Sequence, residues 1–383
     1  MMILGLHLQL MIGPTIAVPA TPDITEALKS VQITHNDEGK SGFQLTFEIS
    51  RAGLADVVDY SLLANPLLRP FNRVVLTAIF NVVPRVLMDG IITNRQLSPG
   101  DTPGTGTLTL TGEDVSVMMD LKRVRAAHPA QAEPVIALKL IGSYPQFGMI
   151  PMVIPPPMMD VPVPTDRIPV QQGSDLEYLN EMAKRFSYTF FVIPGPAPMS
   201  NIAYWGPPPR IGVLQSALSV NMGSESNVSS ISFQSNALAA TVVSDLVRDK
   251  TLNVTLPVLT FVSLRPPLVP MPALPFQLPN VRTALLESDS GGGLTFAQAY
   301  ARAQALTDRS VDNVVTAQGE LDALNYGDIL MPRALVGLRG AGFTHDGIYY
   351  VKSVTHTISR GQYKQRFTIT REGDGSITPA VIP

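Results

Sequence analysis

The sequence predicts a mainly β protein of the α+β class: two related β-domains with an α/β segment inserted between them. Three observations predict it. Strand-like alternation runs through both outer parts of the chain. In "SGFQLTFEIS", Phe43, Leu45, Phe47 and Ile49 alternate with Gln44, Thr46 and Glu48, the period of two expected of a half-buried strand. One such stretch is echoed far downstream. Between the two copies lies a capped helix leading into an apolar strand, "SDLEYLNEMAKRFSYTFFV" (174–192).

The echo pairs "MDGIITNRQL…GTLTLTGED" (88–114) with "HDGIYYVKSVTHTI…QRFTITREGD" (345–374). Each has Asp-Gly, a β-rich run, a turn, then a strand alternating threonine with a large apolar residue. Phe367 and Ile369 stand where Leu108 and Leu110 stand, and an acidic cluster beside a glycine ends each copy. Two readings stay open: β-hairpins resemble one another in general, or the chain carries an internal duplication of a β-barrel domain.

Taken in order, the elements begin with an extended arm over 1–24, in which Leu4, Leu6, Leu8 and Leu10 alternate. The first barrel domain is expected over 25–112. Asp23 and Glu26 read as a capping pair for a short helix before Ala27 and Leu28. "NRVVLTAIF" and "RVLMDGIITNRQL" read as strands with a turn near Val83-Pro84, and "SPGDTPGTG" as a turn before "TLTLT". The insert is expected over 113–212. It opens with an expected helix, "GEDVSVMMDLKRVRAAHP", whose acidic start and basic end suit the helix dipole, with Val115, Met118 and Leu121 as its buried stripe. A proline-dense extended connection covers 145–170. Ser174 and Glu177 then form a capping box for a helix burying Leu176, Leu179, Met182, Ala183 and Phe186. Tyr188 to Val192 reads as a strand and "PGPAPMSNIAYWGPPPR", with the single tryptophan Trp205, as a rigid loop. The second barrel domain is expected over 213–373. In it "LSVNMGSESNVSSISFQSN" reads as two strands joined by a turn, with Ile231 and Phe233 on one face. A proline-rich loop (257–293) ends in the flexible joint Gly291–Gly293. A helix capped by Thr295 and Gln298 (294–308) carries Phe296, Ala299, Tyr300, Ala303 and Leu306. A polar tail, 374–383, closes the chain.

Composition narrows the function. Charged residues are 15% of the 383, against about 25% on average, which suggests surface covered by neighbouring subunits. A net charge of −3 gives no basic footprint for nucleic acid. With no cysteine, disulfides, thiolate zinc sites and cysteine nucleophiles are excluded. The apolar start lacks a basic leader and is broken by His7, Gln9 and Pro14, unlike a signal peptide or membrane span. The sequons at Asn227 and Asn253 read as chance matches.

The five histidines, His7, His35, His128, His345 and His356, show no metal-ligand spacing. The tempting pair His345-Asp346 fails the repeat test, because Asp89 follows Met88. "GLRGAG" (337–342) has no helix after it and reads as a bulge or strand corner, not a phosphate cradle. No catalytic, cofactor-binding or metal residue is assigned, no cofactor is expected, and the chain is read as no enzyme.

"QQGSDLEYLNEMAKRFSYTFFV" resembles a segment of phage tail hub proteins: the late-control protein D family and the hub part of valine-glycine-repeat spikes of type VI secretion. "GDILMPRALVGLRGAGFTHDGIYYVKSVTHTISRGQYKQRFTITREG" is similar to the end of hub proteins of contractile injection particles, and "SVQITHNDEGKSGFQLTFEISR" to their first barrel. The resemblance spans roughly 5–375. It implies two tube-protein-like β-barrels per chain and a homotrimer forming a pseudo-six-fold ring between a six-fold tail tube and a three-fold spike. Fused relatives continue into an OB-fold and needle, whereas this sequence ends in "EGDGSITPAVIP", so the expected spike is a separate protein. The implied partners are the tail tube protein, the spike, baseplate wedge components and a LysM-type tail protein, with no direct nucleic-acid or membrane binding. The implied place is the virion or particle baseplate, after assembly in the bacterial cytoplasm. The alternative reading is a tail-tip protein that degrades cell wall or binds glycans. On the ring reading, the threonine face Thr107/Thr109/Thr111 is a candidate channel lining, though it could equally face outward.

Overall fold

The architecture comes from a computed structural model, which describes residues 2–3, 6–50, 60–80, 83–102, 104–157, 162–165, 168–276, 278, 280–286 and 294–376. Leu4, the joint Gly291–Gly293 and the tail beyond 376 lie outside these.

One 14-stranded sheet dominates the described residues. Its first six main strands, in chain order, are Leu6–Gly13, Leu28–Asn36, Gly42–Ser50, Arg73–Phe80, Val83–Pro99 and Thr105–Asp114. In space they lie first, fourth, fifth, sixth, third, second. A later six are Gln215–Ser219, Val228–Ser235, Val315–Asp322, Leu335–Arg339, Gly347–Ser359 and Gln362–Arg371. They lie in the same order: first, fourth, fifth, sixth, third, second. One pairing differs. Leu6–Gly13 runs antiparallel to Arg73–Phe80, whereas Gln215–Ser219 runs parallel to Leu335–Arg339. The echo read from sequence therefore sits on equivalent hairpins. Gly90 pairs with Val74 of the fourth strand of its set, and Gly347 with Leu338 of the fourth strand of the other.

The period of two does what it predicts. Phe43, Leu45, Phe47, Ile49, Leu108 and Leu110 are all buried in one apolar cluster, while the alternate positions face outward. A second cluster, with Val351, Val354, Phe367 and Ile369, fills the other set. Glycine is required where Phe43 crosses the sheet. A Cβ on Gly112 would lie 2.2 Å from the Ile91 carbonyl and 2.4 Å from the Phe43 ring.

Several expectations are corrected. The extended start of the chain packs on the fold as a strand: Leu6–Gly13 pairs along its whole length with Arg73–Phe80 and buries Leu8, Leu10 and Ile12. The short helix is Pro22–Ala27 with Thr21 at its N-cap and no side-chain cap bond, so Asp23 and Glu26 are not a capping pair. The turn expected near Val83-Pro84 falls just before them, since Phe80 pairs directly with Val83 and both Val83 and Pro84 belong to the next strand. "GEDVSVMMDLKRVRAAHP" is no α-helix. The strand runs on to Asp114, whose carboxylate takes the Ser116 N–H (3.0 Å) and starts a short 3-10 turn, Val115–Met119. The chain then extends again as Arg123–Ala127 to pair with Val170–Ser174, leaving Leu121 exposed. A helix there would leave both of those backbones without their ladder.

The helix in this region is Glu133–Ile141, which the sequence reading missed. Its signals are Pro134 in the first turn and buried Ile136, Ala137, Leu140 and Ile141. Asn201–Gly206, expected as loop, is the central strand of a three-stranded sheet with Met149–Val153 and Thr189–Pro194, and Trp205 is fully buried there. Helix Asp175–Arg185 has the predicted capping box and buries Leu176, Leu179, Met182 and Ala183, with Phe186 half-buried. Helix Phe296–Ser310 has the Thr295/Gln298 box, but Leu306 is exposed.

Candidate assembly interface

The two six-strand sets are joined edge to edge. Leu28–Asn36, the outer strand of the first, pairs antiparallel with Gly347–Ser359 of the second, from Ser30↔Ser359 to Asn36↔Ser353. On the core side Val31, Ile33, Val354 and Ile358 are fully buried across this seam. Ile358 and Tyr363 belong to the same apolar cluster as Val31 and Leu45, so the first core is completed by the second set.

Two buried histidines meet there edge to face, ring centroids 5.6 Å apart. His35 Nε2 lies 2.8 Å from the Leu87 carbonyl, so it carries the proton. His356 Nδ1 accepts from Tyr363 Oη (2.8 Å) and the Gln365 amide (3.2 Å). Burial pushes His356 down to about 3; burial, then the His356 charge, also holds His35 well below its usual value. Both are neutral near pH 7 and serve the packing. Arg333 closes the end of the seam. It donates to the Asn36 carbonyl and to Ser41 Oγ (3.3 Å), and its guanidinium lies 4.1 Å from the Phe191 ring centroid.

Two charged clusters tie the remaining segments to the sheet. Arg73 makes a bidentate pair with Asp89 (2.7 and 2.6 Å), and both side chains are essentially unexposed. Arg73 also donates to the carbonyls of Thr15, Phe147 and Met199, and Asn201 donates to Asp89 Oδ2 (2.9 Å). The second cluster holds Arg210 between Glu372 (2.8 Å) and Asp312 (2.7 Å), with Arg265 on the other oxygen of Asp312. Residues 115–214 and 236–314 thus meet beside the sheet, where Arg265 also donates to the Ser187 carbonyl (3.0 Å). Asp120 links the capping box to the sheet, taking Ser174 Oγ (2.6 Å) and Lys40 Nζ (2.9 Å).

The sheet's outward face is mostly uncharged and continuous across the seam. Thr46, Thr109, Ser30 and Thr355 lie in adjoining strands, and Thr34 reaches Thr355 at 3.3 Å. The charges there are largely paired, as Lys364 and Arg366 are with Glu320. Thr107, Thr109 and Thr111 are half-exposed on this face.

The chemistry set aside at sequence level finds structural roles. His345 stacks on Phe233 (4.4 Å), and Asp346 accepts the Ala341 N–H (2.8 Å). "GLRGAG" ends a strand in a tight corner. Gly340 has φ +87°, and a Cβ there would lie 2.0 Å from the Val220 carbonyl. Asn227 is spent on the Ala217 carbonyl and the Ser219 N–H. Among the described residues no three His, Cys, Asp or Glu side chains converge, and no helix is long and apolar enough to cross a membrane.

No family model matches the chain, and no curated protein matches it in sequence. Solved structures do. A tail protein from Neisseria meningitidis aligns with TM-score 0.62 and 12% identity over 97% of this chain and 98% of its own. The chain has the fold of a phage tail protein. A 43 kDa tail protein of prophage MuSo2 from Shewanella oneidensis matches as well: TM-score 0.62, 13% identity, 96% of this chain and 98% of that one. A type VI secretion component of E. coli aligns at TM-score 0.56 and 13% identity, over 93% of this chain and 77% of its own. The tail-protein fold agrees with the resemblance read from sequence, and the chain is mainly β with a large antiparallel sheet.

Proposed function

We propose that this chain is a structural hub of a phage tail or contractile injection baseplate. It acts as a homotrimer that joins a six-fold tail tube to a three-fold spike, and it does no catalysis. The observation that carries this reading is the strand order repeated twice and fused edge to edge. Three copies would supply six similar barrel domains around one axis, and closing the ring would cover the open sheet edges. The segments 115–214 and 236–314 differ between the two halves, so they would repeat only three times and give the ring its three-fold character. The outward face, mostly uncharged and with its charges largely paired, suits a channel wall that grips cargo weakly. The tail relatives support a structural role, and the type VI secretion component supports a place in a tail-like injection machine.

Native mass spectrometry of the purified chain, alone and with its spike, tests this. A species of three times 41.2 kDa is expected. A chain that stays at 41.2 kDa in both mixtures, or that clears peptidoglycan in a zymogram, would overturn the reading.

A further inference from the structure

Resting on that trimer, we infer which two edges join one protomer to the next: the free side of Val228–Ser235 pairs antiparallel with the Gln96–Gly100 end of the Val83–Pro99 strand in a second copy. The seam inside the chain is the template. There, the second strand of the first set pairs with the fifth strand of the second set. Moving one step around a head-to-tail ring, the equivalent contact joins the second strand of the second set to the fifth strand of the first set in the neighbour. Those are Val228–Ser235 and Val83–Pro99.

Three observations favour this occupant. First, among the described residues both edges lack a partner strand: there Val228–Ser235 pairs only with Val315–Asp322, and from Gln96 onward the fifth strand pairs only with Thr105–Asp114. Second, the equivalents differ in burial in the sense a missing neighbour requires. Val31 and Ile33 at the internal seam are fully buried, whereas Ile231 and Phe233 are half-buried. Val354 is fully buried, whereas its counterpart Leu97 is half-buried. Third, of the two edges Val228–Ser235 is unguarded, whereas the Gln96–Gly100 end carries Pro99. "VSSISFQS" has no charge and no proline, the devices that keep a permanently exposed edge from pairing.

Two registers are allowed. Matching bulges, at Leu28/Ser30 and Val228/Ser230, align Val31 with Ile231 and set Ser98 opposite Gln234. Matching the register to the central strands aligns Val31 with Phe233 and sets Ser98 opposite Asn236. The two differ by two residues, so both keep Leu97 on the apolar side with Phe233.

The chain has no cysteine, so engineered pairs report cleanly. Ser98→Cys would be combined with Gln234→Cys, with Asn236→Cys, and with Phe233→Cys as the wrong-face control, and each double variant oxidised mildly. Native mass before oxidation shows whether the trimer forms. The expected result is a covalent trimer in denaturing gels from the 234 or the 236 pair, with several-fold less from the 233 pair. A native trimer that yields no cross-link from either pair would overturn this contact and leave the hub reading intact. A chain that never trimerises would overturn both.

Discussion

Asp89→Asn removes one charge from the most deeply buried ion pair among the described residues while keeping side-chain volume, so no cavity forms. Asp89 takes two charge-assisted bonds from Arg73, at 2.7 and 2.6 Å, and one from Asn201 at 2.9 Å. After the change Arg73 remains charged, with its side chain 2% exposed and its remaining bonds going to three backbone carbonyls. Breaking a buried pair from one side costs about 3–5 kcal/mol, because the surviving charge is left uncompensated. The double variant Asp89→Asn/Arg73→Met removes that charge too. It should therefore lose less than the two single variants added together, by about 2 kcal/mol or more. Trp205 is the only tryptophan, is fully buried, and lies on the same strand as Asn201, so its fluorescence reports loss of this region. Urea unfolding at one fixed protein concentration is the assay, since association shifts apparent stability. A loss below about 1 kcal/mol for Asp89→Asn, or strictly additive effects in the cycle, would refute the reasoning.

Ser174→Ala should cost about 1–2 kcal/mol in the same assay, since the hydroxyl both accepts the Glu177 N–H and donates to Asp120. Glu177→Gln should cost much less, because glutamine also completes the box. Gly112→Ala should cost about 1–3 kcal/mol by overpacking; Phe43→Leu should relieve only part of that, because the nearest obstacle is the Ile91 backbone carbonyl. His356 is neutral in the fold down to about pH 3 and ordinarily titrates near 6.5 in the unfolded chain, so its contribution is present above 6.5 and lost as pH falls from there towards 3. The stability of His356→Gln should therefore fall less steeply over that window, by about 1.4 kcal/mol per pH unit; parallel slopes for variant and wild type would refute this. Comparing the slopes separates this effect from Asp37, whose pKa burial raises to about 6 and which acts in the opposite direction.

The sequence by itself determined what is set within a few residues of chain. Alternation at Phe43–Ile49 and Leu108–Leu110 named the buried faces, because side chains in a strand change sides at every residue. Ser174/Glu177 and Thr295/Gln298 named two helix starts, because the capping partners are three residues apart. The echo of 88–114 at 345–374 named equivalent hairpins. Only the tertiary structure decided what depends on distant partners. The charge order of 113–125 suits a helix, yet Arg123–Ala127 is a strand because Val170–Ser174 supplies its ladder. Asn201–Gly206 lies among loop-forming prolines and is a strand because it is held between two others. The seam is the furthest case. Ser30 and Ser359 are paired across more than three hundred residues, and neither local sequence carries any mark of the other. Hydrogen bonds of a sheet run between backbones, which are the same for every residue, so pairing is specified by packing of the whole core and not by the strands' own letters.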